Sequence, residues 1–412
     1  MEKVKAEVAY AHVEKLCEHG PRNVNSKGDL KSIEYISTVL DQYDFEIQDR
    51  PFDVGIYKEK AVDFTILLDG KETPMDCVSH YRSGSTPPSG ITATIVYVGY
   101  GTEEEVREKD VRDKFLLADT GKIHPVSKAD VAKAHGAAGC IWIHGSAGHI
   151  IAAWGLHRFG APLPVIGISY EDGERLKELL QKNKEVKAEM TVEATSETGK
   201  GRNIIGFKEG KIDDEIIALC AHRETTHTTP GANDNASGVS VLLETAKVFH
   251  DEKLERSMAL LFSTGEEGGG FGVEDYLGSY PDEAKKFKVA INLDMVGEGS
   301  KLRLVEKGRK SAAEEYTFTS SWLNSLLKKT AQELGYHIGK DLICEYGLAD
   351  AGHFLDKNIH ATWFYKPDDP YFHTKEDTPD KVNPNDLKAT GDIVVYSLEK
   401  MDKVKEIPSY KR

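Results

Sequence analysis

Cysteine is scarce and without pattern in this chain. The five cysteines, Cys17, Cys77, Cys140, Cys220 and Cys344, are scattered and odd in number, and no two form a CxxC pair. This excludes a disulfide framework and a thiolate zinc site, and it suits reduced thiols in a cytoplasmic protein. Long apolar runs are lacking too: no stretch reaches the about 18 residues that a membrane-spanning helix needs. The opening residues, MEKVKAEVAYAHVEKL, are charged and helix-periodic, without the apolar stretch of a secretory signal. A cytoplasmic location with no membrane partner is expected. Basic charge is in deficit, with 53 Lys and Arg against 68 Asp and Glu, a net charge of −15. So acidic a chain is a poor ligand for phosphate backbones, and no nucleic-acid partner is expected. What remains is a folded globular composition, 39% hydrophobic and 29% charged over 412 residues, long enough for two or three domains.

Along the chain, residues 5–18 and 28–43 carry helical apolar spacing, separated by the turn formers of HGPRNVNSKGD. FEIQDRPFDV then alternates like a strand. From about 57 to 190 the texture changes to a self-contained series of short strands and helices, including ITATIVYVGYG, DKFLLADTG, CIWIHG and PVIGIS. A second series begins near 200 with EIIALCAH and continues through RSMALLFST, FKVAINLDM and ATWFYK, with helices between. Apolar strands alternating with helices predict an α/β fold, a mixed and mostly parallel sheet sandwiched by helices. Residues 1–56 and 191–412 would form one discontinuous domain, with 57–190 inserted as a smaller α/β domain.

In open α/β sheets ligands bind beyond the carboxyl ends of the strands. The polar residues there are His222 after IIALCA, Glu266 and Glu267 after ALLFSTG, Asp294 after VAINL, and His373 after ATWFYK. Asp234, in PGANDNASG, opens the helix between the first two. Singly, each has an ordinary reading: a satisfied strand-end histidine, a solvated Glu-Glu turn, a helix cap. Together, two histidines and three carboxylates suffice for two divalent ions if one carboxylate bridges. Such a pair activates a water and polarises a carbonyl. Mixed imidazole and carboxylate donors suit zinc, with cobalt or manganese as substitutes. A carboxylate left over beside a ligating one can take the water's proton.

At these residues the sequence closely resembles the co-catalytic zinc aminopeptidase family, which includes aminopeptidase Y, secreted bacterial leucyl aminopeptidases and glutamate carboxypeptidase II. The resemblance rests on AHRETTHTTPGANDNASG, FSTGEEGGGFG, INLDMVG and YFHTKEDTPDKV, with steps of 12, 33, 27 and 79 residues from His222 to Asp234, Glu267, Asp294 and His373. It implies the zinc-peptidase fold and hydrolysis of N-terminal residues from peptides with a free N-terminus. It also implies two divalent ions, zinc foremost, and a monomer or homodimer. Asp234 would bridge, His222 and Asp294 would complete one metal site, Glu267 and His373 the other, and Glu266 would be the general base. The inserted block resembles the protease-associated domain of this family.

Three departures bear on the roles. The family's Asp two residues after the first His, whose carboxylate orients that imidazole, is here Glu224. His227 shares the loop as a rival ligand, with His222 favoured because it directly ends the strand while His227 lies in a Thr-rich turn. The Tyr that often precedes the last His is replaced by Phe372, with Tyr371 one earlier, so either Tyr371 or the metals alone stabilise the oxyanion. Asp350 and His353 align with a segment that lines the pocket, or simply start a helix. The alternatives on this scaffold are a carboxypeptidase, an amidohydrolase, or glutaminyl cyclase-like chemistry with one metal. A receptor-like homologue without activity would show lost ligands, and none is lost.

Overall fold

The computed structural model describes residues 3–183, 185–309, 315–345 and 347–410. Four parallel strands form the centre of the main sheet, in the order His360–Tyr365, Phe287–Leu293, Ile212–His222 and Arg256–Ser263. Their apolar runs are unbroken because both faces are covered. Along Ile212–His222, Ile217, Leu219 and Ala221 feed one core, while Ile216, Ala218 and Cys220 feed the other. The first core is closed by helices that include Ala6–Cys17, Lys27–Gln42, Gly238–Val248 and Pro384–Lys403; the second by Phe271–Ser279 and Ala351–Asp356. Antiparallel strands flank the centre, Arg303–Gly308 at one side and Lys187–Lys208 at the other. The architecture is the mixed, largely parallel α/β sheet expected.

FEIQDRPFDV belongs to a much longer strand than its alternation suggests. Glu46–Leu68 runs for 23 residues and pairs antiparallel with Lys187–Lys208 from Glu46↔Phe207 to Leu67↔Lys187, with one irregularity between Glu59 and Ala61. The expected junctions at 56/57 and 190/191 lie inside these two strands. The ribbon leads from the main sheet to a second group of strands, where Ile91–Tyr97, Phe115–Asp119, Gly139–Ile143 and Val165–Ile168 pair in parallel. This group has its own cores, one around Phe115, Ile141 and Ile166 and one around Leu116, Trp142 and Val165. Among the described residues no helix is long and apolar enough to cross a membrane.

Candidate metal centre

Because the four central strands are parallel, their carboxyl ends share one edge of the sheet. Ser263 pairs with His222 and Leu293 with Phe364, so the segments that follow these strands converge there. The Asp234 loop is shaped from several sides. Arg22, fully buried, donates to the carbonyls of Arg223, Pro230 and Gly231 at 2.8, 2.6 and 2.8 Å. Gly231 has φ +65°, and a Cβ there would stand 2.4 Å from the Asp234 carbonyl oxygen, so glycine is required. The two asparagines that flank Asp234 tie it to the Asp294 loop. Asn233 Oδ1 accepts from Gly297 and Glu298 N–H at 2.9 and 3.0 Å, and Asn235 Nδ2 donates to Leu293 O at 2.9 Å. Asn235 Oδ1 also accepts from Gly238 N–H at 3.0 Å, which caps the following helix. That helix begins at Gly238 rather than at 235, because 232–237 is an irregular turn spent on these contacts.

Asp234 faces two ways. Its Oδ1 lies 3.0 Å from His222 Nε2, which in turn is 3.5 Å from Asp294 Oδ1. Its Oδ2 lies 3.1 Å from His373 Nε2, which is 2.8 Å from Glu267 Oε2. Glu266 Oε2 is farther out, 4.0 Å from His222 Nε2, with a partly exposed side chain, whereas Glu267 is buried. Donor atoms of His222, Asp234 and Glu267, and likewise of His222, Glu266 and Asp294, lie within 4.8 Å of one another.

Four carboxylates around two imidazoles leave a surplus of buried negative charge, which is costly unless cations balance it. Among the described residues Glu267 Oε1 has no partner, and Oε2 meets only the His373 imidazole. A donor set with acceptor atoms turned toward each other in this way fits divalent ions. Burial opposes charge on His222, but Asp294 and Asp234 outweigh it and hold the imidazole well above its ordinary value. Glu267 and Asp234 likewise overcome burial and push His373 up to about 10. Burial would raise Asp234, yet the two imidazoles draw it below the usual carboxylate range, while burial holds Glu266, Glu267 and Asp294 above it. Divalent cations would displace the protons from the two imidazoles and from Glu266, Glu267 and Asp294, and would lower Asp234 further.

Several expectations change. The carboxylate of Glu224 does not orient His222. The Glu224 main-chain carbonyl does so, 3.0 Å from His222 Nδ1. The longer side chain reaches on, and its oxygens accept from Glu267 N–H at 3.0 Å and Thr264 Oγ1 at 3.1 Å. His227 does not compete for the site. It lies against Tyr57 and Tyr81, with its Nε2 3.3 Å from both Glu59 Oε2 and Ser79 Oγ. Serine and acid share one ring nitrogen there, so this trio cannot relay a proton as a Ser-His-acid triad does. The Tyr371 ring sits under the Lys381 ammonium at 5.1 Å, and no contact links its hydroxyl to the site among the described residues. Asp350 is buried, accepting from Ser263 Oγ and 3.5 Å from Cys220 Sγ, and directly precedes the helix Ala351–Asp356. His353 is buried beside Gly270, where a Cβ would stand 2.1 Å from its Nε2.

Asp377 was not singled out by sequence. Its carboxylate accepts from the main-chain N–H groups of Asn233 and Asp234 at 2.7 and 3.0 Å. Burial pushes it up to about 7 against the pull of those two bonds. The available signal was its place four residues after His373, in HTKED.

The model of peptidase family M28 matches residues 203–398, and that of the PA domain matches residues 91–176. Aminopeptidase YwaD of Bacillus subtilis is 27% identical over 414 residues, spanning 97% of this chain and 86% of its own. Among solved structures, an aminopeptidase from Aneurinibacillus sp. strain AM-1 superposes with a TM-score of 0.75 at 25% identity, covering 100% of this chain and 97% of that one. BSAP, a zinc aminopeptidase from Bacillus subtilis, gives a TM-score of 0.75 at 25% identity over 100% and 99% of the two chains. Residues 203–398, which carry the strand-end histidines and carboxylates gathered on one sheet edge, match peptidase family M28, and the block inserted before them matches the PA domain.

Proposed function

We propose that the chain is an aminopeptidase that uses two zinc ions, for which cobalt or manganese can substitute. His222 and Asp294 would hold one ion, Glu267 and His373 the other, and Asp234 would bridge them. The observation that carries this reading is the division of the Asp234 carboxylate, with Oδ1 toward His222 and Oδ2 toward His373. The relatives are named as aminopeptidases, one of them a zinc enzyme. When bound, the ions supply Lewis-acid polarisation of the scissile carbonyl and a water of lowered pKa.

The chain's own groups supply the rest. Glu266 is the carboxylate at the open side, outside the shortest contacts, and takes the proton of the attacking water on its carboxylate. It then delivers that proton to the nitrogen of the leaving amine. Two lysines on the surrounding loops are already paired, Lys366 with Asp386 and Lys381 with Asp380, and so do not offer themselves to a C-terminal carboxylate, which argues against the carboxypeptidase alternative.

The test is release of p-nitroaniline from a panel of aminoacyl p-nitroanilides, with and without chelator. Activity should vanish on chelation, return with zinc, and be absent toward the N-acetylated substrates. Cleavage of N-blocked substrates, or indifference to chelation, would overturn the reading.

A further inference from the structure

The inserted block touches the Glu267 and His373 side of the metal centre. Two of its segments, 79–83 and 152–158, form a bracket: Tyr81 N–H donates to Trp154 O at 2.9 Å, Leu156 N–H to Tyr81 O at 3.0 Å, and Trp154 N–H to His80 Nδ1 at 2.7 Å. The bracket lies directly on the residues assigned to one ion. Ala153 N–H donates to the His373 carbonyl at 3.0 Å, and the Trp154 ring stands edge-on to the His373 ring at 5.0 Å and 70°. Gly155 is so close that a Cβ would stand 1.5 Å from the Glu267 carbonyl oxygen. Arg82 is fully buried, 3.9 Å from Glu224 Oε2, and the other Glu224 oxygen holds Glu267 N–H at 3.0 Å. Arg82 Nε and Nη1 have no hydrogen-bond partner, and a Cβ on Gly268 would meet Nη1 at 2.4 Å.

We propose that Arg82 and Trp154 are positioning residues for the Glu267–His373 half of the metal centre, so that the inserted domain completes one of the two ion sites and leaves the other to the main sheet. The inference rests on the two-ion reading above. The physical basis is that a buried guanidinium balances Glu224 and so fixes the main chain of Glu267, while the indole fixes the plane of the His373 imidazole. Among the described residues no side chain of the insert contacts His222 or Asp294 directly; the Glu224 main-chain carbonyl and the Asn235 contact to Leu293 serve that half. Groups that orient metal ligands typically change affinity by about 10- to 100-fold when removed.

The metal-stripped chain is titrated with Co²⁺, following stoichiometry by calorimetry and each site by visible absorption. Wild type should take two ions. Arg82→Gln and Trp154→Leu should each keep one ion within about twofold and weaken the other by about 10- to 100-fold. Arg82→Lys should recover part of the loss, and Arg82→Gln in a His222→Ala background should weaken both. Trp154 is only half-buried, so Trp154→Leu reports even if Arg82→Gln fails to fold. Equal weakening of both ions, or none, overturns the inference. A wild-type chain that takes one ion or none overturns the two-ion reading and the inference with it.

Discussion

Asp377 and Asp234 are joined through the main chain: the Asp377 carboxylate accepts the N–H of Asp234 at 3.0 Å and that of Asn233 at 2.7 Å. The bond sets the Asp234 backbone, and with it the direction of a carboxylate that faces two imidazoles. Asp377→Asn would turn an amide NH₂ toward a main-chain N–H. Ion affinity at both halves should fall by about 10- to 100-fold with the fold retained. Ion content after dialysis against graded chelator measures this, and unchanged retention would sever the proposed link.

Glu266→Gln should leave two ions bound and lower turnover by roughly 10²- to 10⁴-fold, the usual weight of a general base. Glutamine keeps the shape but cannot accept the proton. Near wild-type turnover in this variant would sink the proton-transfer role.

Asp234→Asn and His222→Ala separate a shared ligand from a local one. The first should reduce both ions together, because each carboxylate oxygen serves a different half. The second should mainly weaken one. Two tightly held ions in Asp234→Asn, by metal analysis of the gel-filtered protein, would contradict bridging.

Burial pushes the His12 imidazole down to about 4, with Lys247 adding to the shift. The unfolded chain accepts this proton near pH 6.5. Between those values the unfolded state binds more protons, so stability is full above about pH 6.5 and is lost as pH falls toward 4. The loss is on the order of 3 kcal/mol for this one group. Urea denaturation between about pH 4 and 7 should be less pH-dependent in His12→Gln than in wild type, and equal slopes would refute the assignment.

His222 and Asp294 were legible in sequence because a doubly covered parallel strand reads as an unbroken apolar run, and the first charged residue after it marks the sheet edge. Glu266 and Glu267 were legible for the same reason, and Asp234 through its place between two such ends. Asp377 was not, since one more acid in a polar loop carries no period. Glu224 misled because spacing does not reveal reach: its extra methylene carries the carboxylate past His222 to Glu267 N–H. Glu46–Leu68 continues through the expected junction as one strand paired with Lys187–Lys208, a continuity that a change in composition does not reveal. Trp154 meets His373 across more than 200 residues of chain, a contact with no local signature.

The long ribbon has a consequence for connectivity. Asp63 lies opposite Thr191, and Phe64 opposite Met190, so the chain departs for the inserted domain and returns from it side by side. To the main sheet, everything beyond that point is topologically the tip of one β-hairpin. The entropic cost of closing so long a loop grows only slowly with its length, and the paired strands hold its ends together. A chain shortened there by a tight turn would keep the order of every strand in the main sheet.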